Sequence, residues 1–374
     1  MDLDALKSLS TPQPPAGWSP GVTWDGESGY VTTHPTSDTD KPGEDQWDHV
    51  LEHFGLDPAV YMIDGPVRHS AWDVPNHGTQ RSYRARVVMR PERTFNVEDL
   101  IETMCDYVPG PSEGEEGSRV VVIADAHIGK SVGDGAGSDM LVRRWMDSAQ
   151  AAITDNAPHE EINLVLAGDL CEGIVSNGGA GIASMDLTMT EQIRVASWLV
   201  RDTVELALNH ARKVVVSVTC GNHGEVTRQQ HRPAEENYDI LIAANVEMAM
   251  SGQYEDRLSF YYPESNRTSL TYQFGSTAIC LVHGHRFKGK MNGAEKWWGG
   301  IIQNDRPGKN ANILIAGHFH GAEVKNWTKD RWIMFAPALE DESNWLAEIN
   351  GSTSRPGFMY FDVKDGEPCR ISIA

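Results

Sequence analysis

Cysteine is scarce and poorly placed for pairing. Cys105, Cys171, Cys220, Cys280 and Cys369 are scattered, odd in number, and nowhere form a Cys-x-x-Cys. That pattern excludes a zinc knuckle and a disulfide framework and favours reduced thiols. Long apolar runs are also missing, since none approaches the roughly 18 residues that a bilayer span requires. The opening Met1-Asp2-Leu3-Asp4 is acidic where a signal peptide is basic, and no apolar stretch follows it. A cytoplasmic location with no membrane partner is the expectation. Positive charge is in deficit too: 32 Lys and Arg stand against 53 Asp and Glu, a net charge of −21. This argues against coating nucleic acid by charge alone, although a local basic surface can exist on an acidic protein.

At 374 residues the chain is long enough for two or three domains, or one large α/β unit with an appendage. Residues 1–44, rich in Pro, Gly, Ser, Thr and Asp without a sustained apolar period, are expected to be disordered. Trp47, Val50, Leu51 and Phe54 then follow helical spacing and stop at Gly55, and Tyr61–Ile63 and Tyr83–Met89 have strand character. A small α+β accessory module over 45–110 follows, with a short helix over 96–107 and a linker from Pro109 to Gly117. The remainder, 118–374, alternates strand and helix. Val120–Ala124, Leu164–Ala167, Val214–Val218, Ala278–Val282 and Ile313–Ala316 are short apolar runs of the kind buried on both faces of a sheet. Helical patterns cover 139–152, 186–209 and 233–249. The fold class is α/β, with layered sheets and helices.

Each of those five strands runs into polar residues able to bind metal. They are Asp125-Ala126-His127, Gly168-Asp169, Gly221-Asn222-His223, His283-Gly284-His285 and Gly317-His318-Phe319-His320. Ligands of open α/β sheets bind beyond the carboxyl ends of strands, so these groups are expected to converge. Carboxylate, amide and imidazole donors without thiolate suit Mn²⁺, Fe or Zn²⁺ better than Ca²⁺.

In their order and spacing these blocks resemble the calcineurin-like metallophosphoesterases, over about 119–323. The resemblance implies a four-layered α/β/β/α sandwich behind the small N-terminal module. It also implies two divalent ions, Mn²⁺ foremost with Fe or Zn²⁺ as alternatives. Asp125, His127 and His320 would hold one ion and Asn222, His283 and His318 the other. Asp169 would bridge them, and His223 would act on the reacting phosphate. His283 and His285 compete for the fourth block; His283, directly after the strand, is preferred, which leaves His285 as a substrate contact. Protein Ser/Thr phosphatases follow Gly-Asp with Asp-Arg, whereas Leu170-Cys171-Glu172 stands here, so that branch fits poorly.

Within the family the chain looks like the nuclease subunit of the bacterial SbcCD complex and phage-encoded phosphoesterases. That likeness implies a DNA nuclease acting in the cytoplasm (of the host, if phage-encoded), a homodimer, and an ATPase partner chain of which no coiled coil gives a sign. A small-molecule phosphodiesterase or phosphomonoesterase and a non-catalytic binding protein are the alternatives. Two basic stretches bear on substrate. Arg81, Arg84, Arg86, Arg90 and Arg93 crowd the N-terminal module, either as a solvated strand face or as a grip on nucleic acid, with Arg84 and Arg86 the chosen contacts. Arg286, Lys288, Lys290, Lys296, Arg306 and Lys309 follow His283, and Arg286 and Lys288 are the chosen contacts there. Gly129-Lys130-Ser131 imitates the end of a P-loop but lacks its upstream glycine, and Asn177–Gly181 reads as a loop near the site mouth.

Overall fold

A computed structural model describes residues 14–24, 28–37, 42–75, 77–90, 95–105, 118–131, 137–175, 184–227, 233–254, 256–340 and 354–374. The linker 109–117, Arg93 and the loop Asn177–Gly181 lie outside them. The chain divides into two compact units, Met1–Glu92 and Arg93–Ala374.

The small unit is an antiparallel sheet with one helix. Its elements are β1 (Gly21–Trp24), β2 (Ser28–Thr32), α1 (Glu44–His53), β3 (Tyr61–Val74) and β4 (Gly78–Met89), with strand order β1-β2-β4-β3. Trp47 and Leu51, one helical turn apart, bring one face of α1 onto Val31, Tyr83, Ala85 and Val87. This corrects the expectation of disorder for 14–24, 28–37 and 42–44; residues 1–13, 25–27 and 38–41 lie outside the described ones. Val31 is fully buried, and β2 pairs with β4 from Ser28↔Val88 to Thr32↔Arg84. A five-residue strand next to glycine is too short for its alternation to emerge from composition.

The upper boundary of the module also differs. α2 (Val97–Cys105) buries Val97, Leu100, Ile101 and Met104 in the core of the large unit, so the small unit ends before it.

The large unit continues with β5 (Ser118–Ile123), α3 (Ser138–Thr154), β6 (His159–Leu166), α4 (Met189–His210), β7 (Ala211–Val218), α5 (Tyr238–Met250), β8 (Leu258–Tyr261), β9 (Ser269–Phe274), β10 (Thr277–Val282), α6 (Met291–Gln303), β11 (Ile313–Ala316), β12 (Glu323–Thr328), β13 (Arg331–Phe335), β14 (Met359–Lys364) and β15 (Glu367–Ile373). Two sheets result, ordered β15-β14-β5-β6-β7-β8 and β12-β13-β11-β10-β9. β5, β6, β7 and β8 are mutually parallel, as are β10, β11 and β13.

Alternation along the strands explains the layers. Val121 and Ile123 face α2, α3, α4 and α5, while Val120 and Val122 face the second sheet through Ile279, Leu281, Ile313 and Ile315. On the far side of that sheet Cys280, Leu314 and Phe335 pack against Ala294 and Trp298 of α6. The order is therefore helix, sheet, sheet, helix. Strands inside such a stack are apolar on both faces, which is why their runs are continuous in sequence. Each fully buried Val, Ile or Leu contributes roughly 1.5–3 kcal/mol of transfer free energy. Two helices begin later than their apolar periods suggest. α4 is set by Thr188, whose backbone and hydroxyl exchange hydrogen bonds with Glu191. α5 is set by Asn237, whose side chain accepts from the Asp239 amide. No helix among the described residues is long and apolar enough to cross a membrane.

Candidate metal centre

Parallel neighbours present their carboxyl ends on one edge, and the five polar blocks follow β5, β6, β7, β10 and β11 there. Cross-sheet hydrogen bonds draw them together: His283 Nδ1 donates to Ala167 O at 2.8 Å, and the His318 amide donates to Asp125 Oδ2 at 2.7 Å. The backbone is bent to fit. Of the ten described non-glycine residues at positive φ, five are Asp125, His127, Asp169, His318 and His320. Left-handed backbone at such residues costs on the order of 1–3 kcal/mol each and gathers at functional sites. Gly168, at φ +91°, has no such freedom to change, because a Cβ there would lie 2.8 Å from the Gly221 backbone and from His283 Nδ1.

Three side-chain groups form, one of them His127, Glu172 and His223, and the other two lie side by side. The first of these two is Asp125, His127 and His320; the second is Asp169, His283 and His318. His127 and His320 oppose each other through Nε2 atoms 3.2 Å apart. His283 Nε2 lies 2.9 Å from Asp169 Oδ2 and 3.1 Å from Asn222 Oδ1. Asp125 Oδ1 is between the groups, 3.8 Å from His320 Nε2 and 4.0 Å from His283 Nε2. Asp125 Oδ1 is buried without a hydrogen-bond partner among the described residues.

The tautomers decide what these contacts mean. His127 Nδ1 donates to Glu172 Oε2 at 2.9 Å, and His320 Nδ1 faces Glu340 Oε1 at 2.8 Å. With their protons held on Nδ1, both rings direct Nε2 lone pairs at the same point. Lone pairs that converge beside an orphaned carboxylate oxygen repel one another unless a cation lies among them, so the donors present fit divalent metal ions.

The titration of the rings differs from one to the next. Burial, then the charge of His223, lowers the His127 pKa and keeps its ring neutral. Burial and His283 bring His318 down to about 4. At His283 burial opposes the charged form, but Asp169 outweighs it and raises the pKa to about 10. Asp169 is correspondingly held well below the usual carboxylate range, its burial overcome by His283 and His223.

His223 sits at the edge, its side chain 20% exposed. Its amide donates to Asp169 Oδ1 at 2.7 Å and its Nδ1 to Glu172 O at 2.8 Å, which leaves Nε2 for other work. Burial disfavours its charge, yet Asp169 and Glu172 raise its pKa to about 9.

His285 is half-buried, with its ring 5.5 Å from that of His283 and an Nδ1 that is buried and unpartnered. Burial, then His283, lowers its pKa to about 3. Arg286 and Lys288 are exposed in the turn that follows. Arg84 and Arg86 belong to the small unit and alternate with buried Tyr83, Ala85 and Val87. There Arg86 pairs with Asp64 at 3.0 Å, and Arg84 lies 4.6 Å over the Tyr30 ring.

Three carboxylates escaped sequence reasoning. Glu172 serves His127 and His223 together. Glu340 holds His320 and receives Lys130 Nζ at 2.5 Å, which gives the false P-loop lysine a structural role. Asp239, fully buried, accepts the amides of Leu170 at 2.9 Å and Gly221 at 2.8 Å and so ties the loops after β6 and β7 together. Glu172, three positions after Asp169, carried a signal as a departure from the phosphatase pattern; the other two carried none.

No protein-family model matches the chain, and no curated protein does. Among solved structures it is similar to Vps29 from Entamoeba histolytica complexed with zinc, at 17% identity over 67% of this chain and 88% of that one, TM-score 0.32. Vps29 from Chaetomium thermophilum is similar at 12% identity over 66% and 85%, TM-score 0.33. The Thermus thermophilus sulfate thiohydrolase SoxB, in complex with glycerol, follows at 9% over 71% and 57%, TM-score 0.27. These likenesses are distant, and the site stands on its own side chains.

Proposed function

We propose that the chain is a calcineurin-like metallophosphoesterase that hydrolyses phosphodiesters, with nucleic acid as its substrate. The observation that carries this reading is the pair of Nε2 lone pairs of His127 and His320, 3.2 Å apart beside the orphaned Asp125 oxygen. Asp125, His127 and His320 would hold one divalent ion and Asn222, His283 and His318 a second, with Asp169 shared, and Mn²⁺ suits these donors. Two such ions, when bound, supply Lewis acidity and an activated water. The chain's own residues do the rest. Glu172 fixes the His127 ring and, through its carbonyl, holds the His223 proton on Nδ1. His223 Nε2 is then positioned to give a proton to a departing alkoxide, a role worth roughly 10²–10⁴-fold in rate. Mostly neutral imidazole and amide donors keep the centre from repelling an anionic ester.

The test is hydrolysis of bis-p-nitrophenyl phosphate, p-nitrophenyl phosphate, 2′,3′-cyclic AMP and single- and double-stranded DNA by purified protein with Mn²⁺. Diesters and DNA should be cleaved, Asp169→Asn should abolish cleavage, and His223→Ala should lower kcat about a hundredfold or more. Cleavage of small esters alone would replace nucleic acid by a small-molecule substrate. No hydrolysis and no bound metal would leave a binding protein on this fold.

A further inference from the structure

Against the metal centre lies a cavity of about 480 Å³ that no catalytic role uses. His283 forms one wall, so the cavity opens directly from the second ligand group. The facing wall is the segment 265–269, anchored beside the centre because Thr219 Oγ1 donates to Thr268 O at 2.9 Å, two positions before Gly221. The volume falls in the range of sites that enclose small molecules.

Its chemistry is out of keeping with the rest of the chain. Arg267, Arg286 and Arg306 line it, and no Asp or Glu is among the described lining residues, although acids outnumber bases 53 to 32 overall. Arg267 has a local competitor in Glu264 at 2.8 Å, but that pair is exposed, at 43% and 74%, and such pairs are weak. Phe287 and Trp297, rings 5.6 Å apart and tilted by 52°, add a half-buried aromatic surface. His285 contributes a buried Nδ1 with no partner.

Guanidinium groups match phosphate oxygens in a two-pronged geometry that ammonium groups lack, and aromatic faces accept nucleobases of any sequence. A bare anion would have no use for the aromatic wall, and an apolar ligand none for three guanidinia. We infer that this cavity binds a nucleotide unit next to the phosphate held at the metal centre, with the arginines on its phosphate and Phe287 and Trp297 against its base. For the reaction this rests on the phosphodiesterase reading; for binding it does not. Nucleotide chemistry of this kind comes either as the next unit of a strand or as a free nucleotide.

The experiment uses the full chain stripped of metal with EDTA and a fluorescein-labelled thymidine octamer, followed by anisotropy at several salt concentrations. Unlabelled octamer, thymidine 5′-monophosphate and inorganic phosphate serve as competitors. The double variant Arg286→Gln/Arg306→Gln should bind roughly tenfold or more weakly. Its slope of log affinity against log salt should become shallower by about 0.7, the single-strand contribution of the one phosphate these arginines contact. Arg267→Gln is the second variant, should the double variant unfold, with weaker binding and a salt slope shallower by no more than about 0.7. Competition by the octamer alone assigns the cavity to a strand, and equal competition by the monophosphate assigns it to free nucleotides. Affinity and salt slope unchanged in folded variants, or inorganic phosphate competing as well as the nucleotides, would overturn the inference. Arginine-dependent binding in a protein inactive on every ester would remove the catalytic reading and keep the subsite. Activity with binding indifferent to the arginines would do the reverse.

Discussion

Glu172 shows how much one side chain can organise. It accepts from His127 Nδ1 through its carboxylate and from His223 Nδ1 through its carbonyl, so one residue sets two tautomers. Burial opposes its charge, but the hydrogen bonds of these histidines outweigh that and lower its pKa to about 2. Partners of this kind typically cost 10–100-fold in metal affinity when removed. Glu172→Ala should therefore weaken Mn²⁺ binding by about that factor, read by competition with a chelating dye, while Glu172→Gln, which keeps an acceptor for His127, should lose less. Equal losses in the two variants would mean that charge rather than orientation is what Glu172 supplies.

Among the elements, β5 carries a structural pair at the end away from the site. Arg119 is fully buried and lies directly across from Asp362 on β14, with Nε 2.5 Å from Oδ1, while its NH1 reaches Ala152 O at 2.7 Å. Breaking a buried pair strands the remaining charge at a cost of about 3–5 kcal/mol. Arg119→Met should lie near the lower bound in urea denaturation, because Arg370 still holds Asp362 Oδ2 at 2.5 Å. His159, at the start of β6, gives this end a pH dependence. Burial, then Arg119, lowers its pKa from 6.5 to about 4. The unfolded chain thus takes up the proton first. The contribution of His159 is complete above about pH 6.5 and shrinks as pH falls towards 4, at most about 1.4 kcal/mol per unit. His159→Gln should remove that component, seen as a shallower loss of stability than in the wild type over the same window. An identical pH profile would show that His159 titrates normally in the folded chain.

For the whole molecule, the site joins loops from both sheets, so an ion bound there would link its own binding to the folding of the large unit. An ion that binds only the folded chain adds about 2.7 kcal/mol at a hundred times its Kd. Mn²⁺ should accordingly raise the thermal midpoint by several degrees in a concentration-dependent way, and Asp169→Asn should abolish the shift. A midpoint indifferent to Mn²⁺, Zn²⁺ and Fe²⁺ would argue that the donors do not hold an ion.

Much of this was legible without coordinates. The five core strands declare themselves because a strand buried on both faces must be apolar at every position, and residue type at their ends names the donors. β1 and β2 did not, since β2 is held by pairing with β4, more than fifty residues away, and β1 by pairing with β2, rather than by any local period. Glu340 and Asp239 were equally silent. A lone acid in sequence has the same appearance whether solvated or buried, and only the packing of α5 and of the segment after β13 turns these two inward. What the sequence by itself determined was therefore the layered α/β class and which polar side chains gather at the strand ends, because those follow from local periodicity and chemistry. Only the tertiary structure decided which ring nitrogens face one another, which carboxylates hold them, and that three arginines from separate segments meet at one cavity, because each of these depends on contacts between residues distant along the chain.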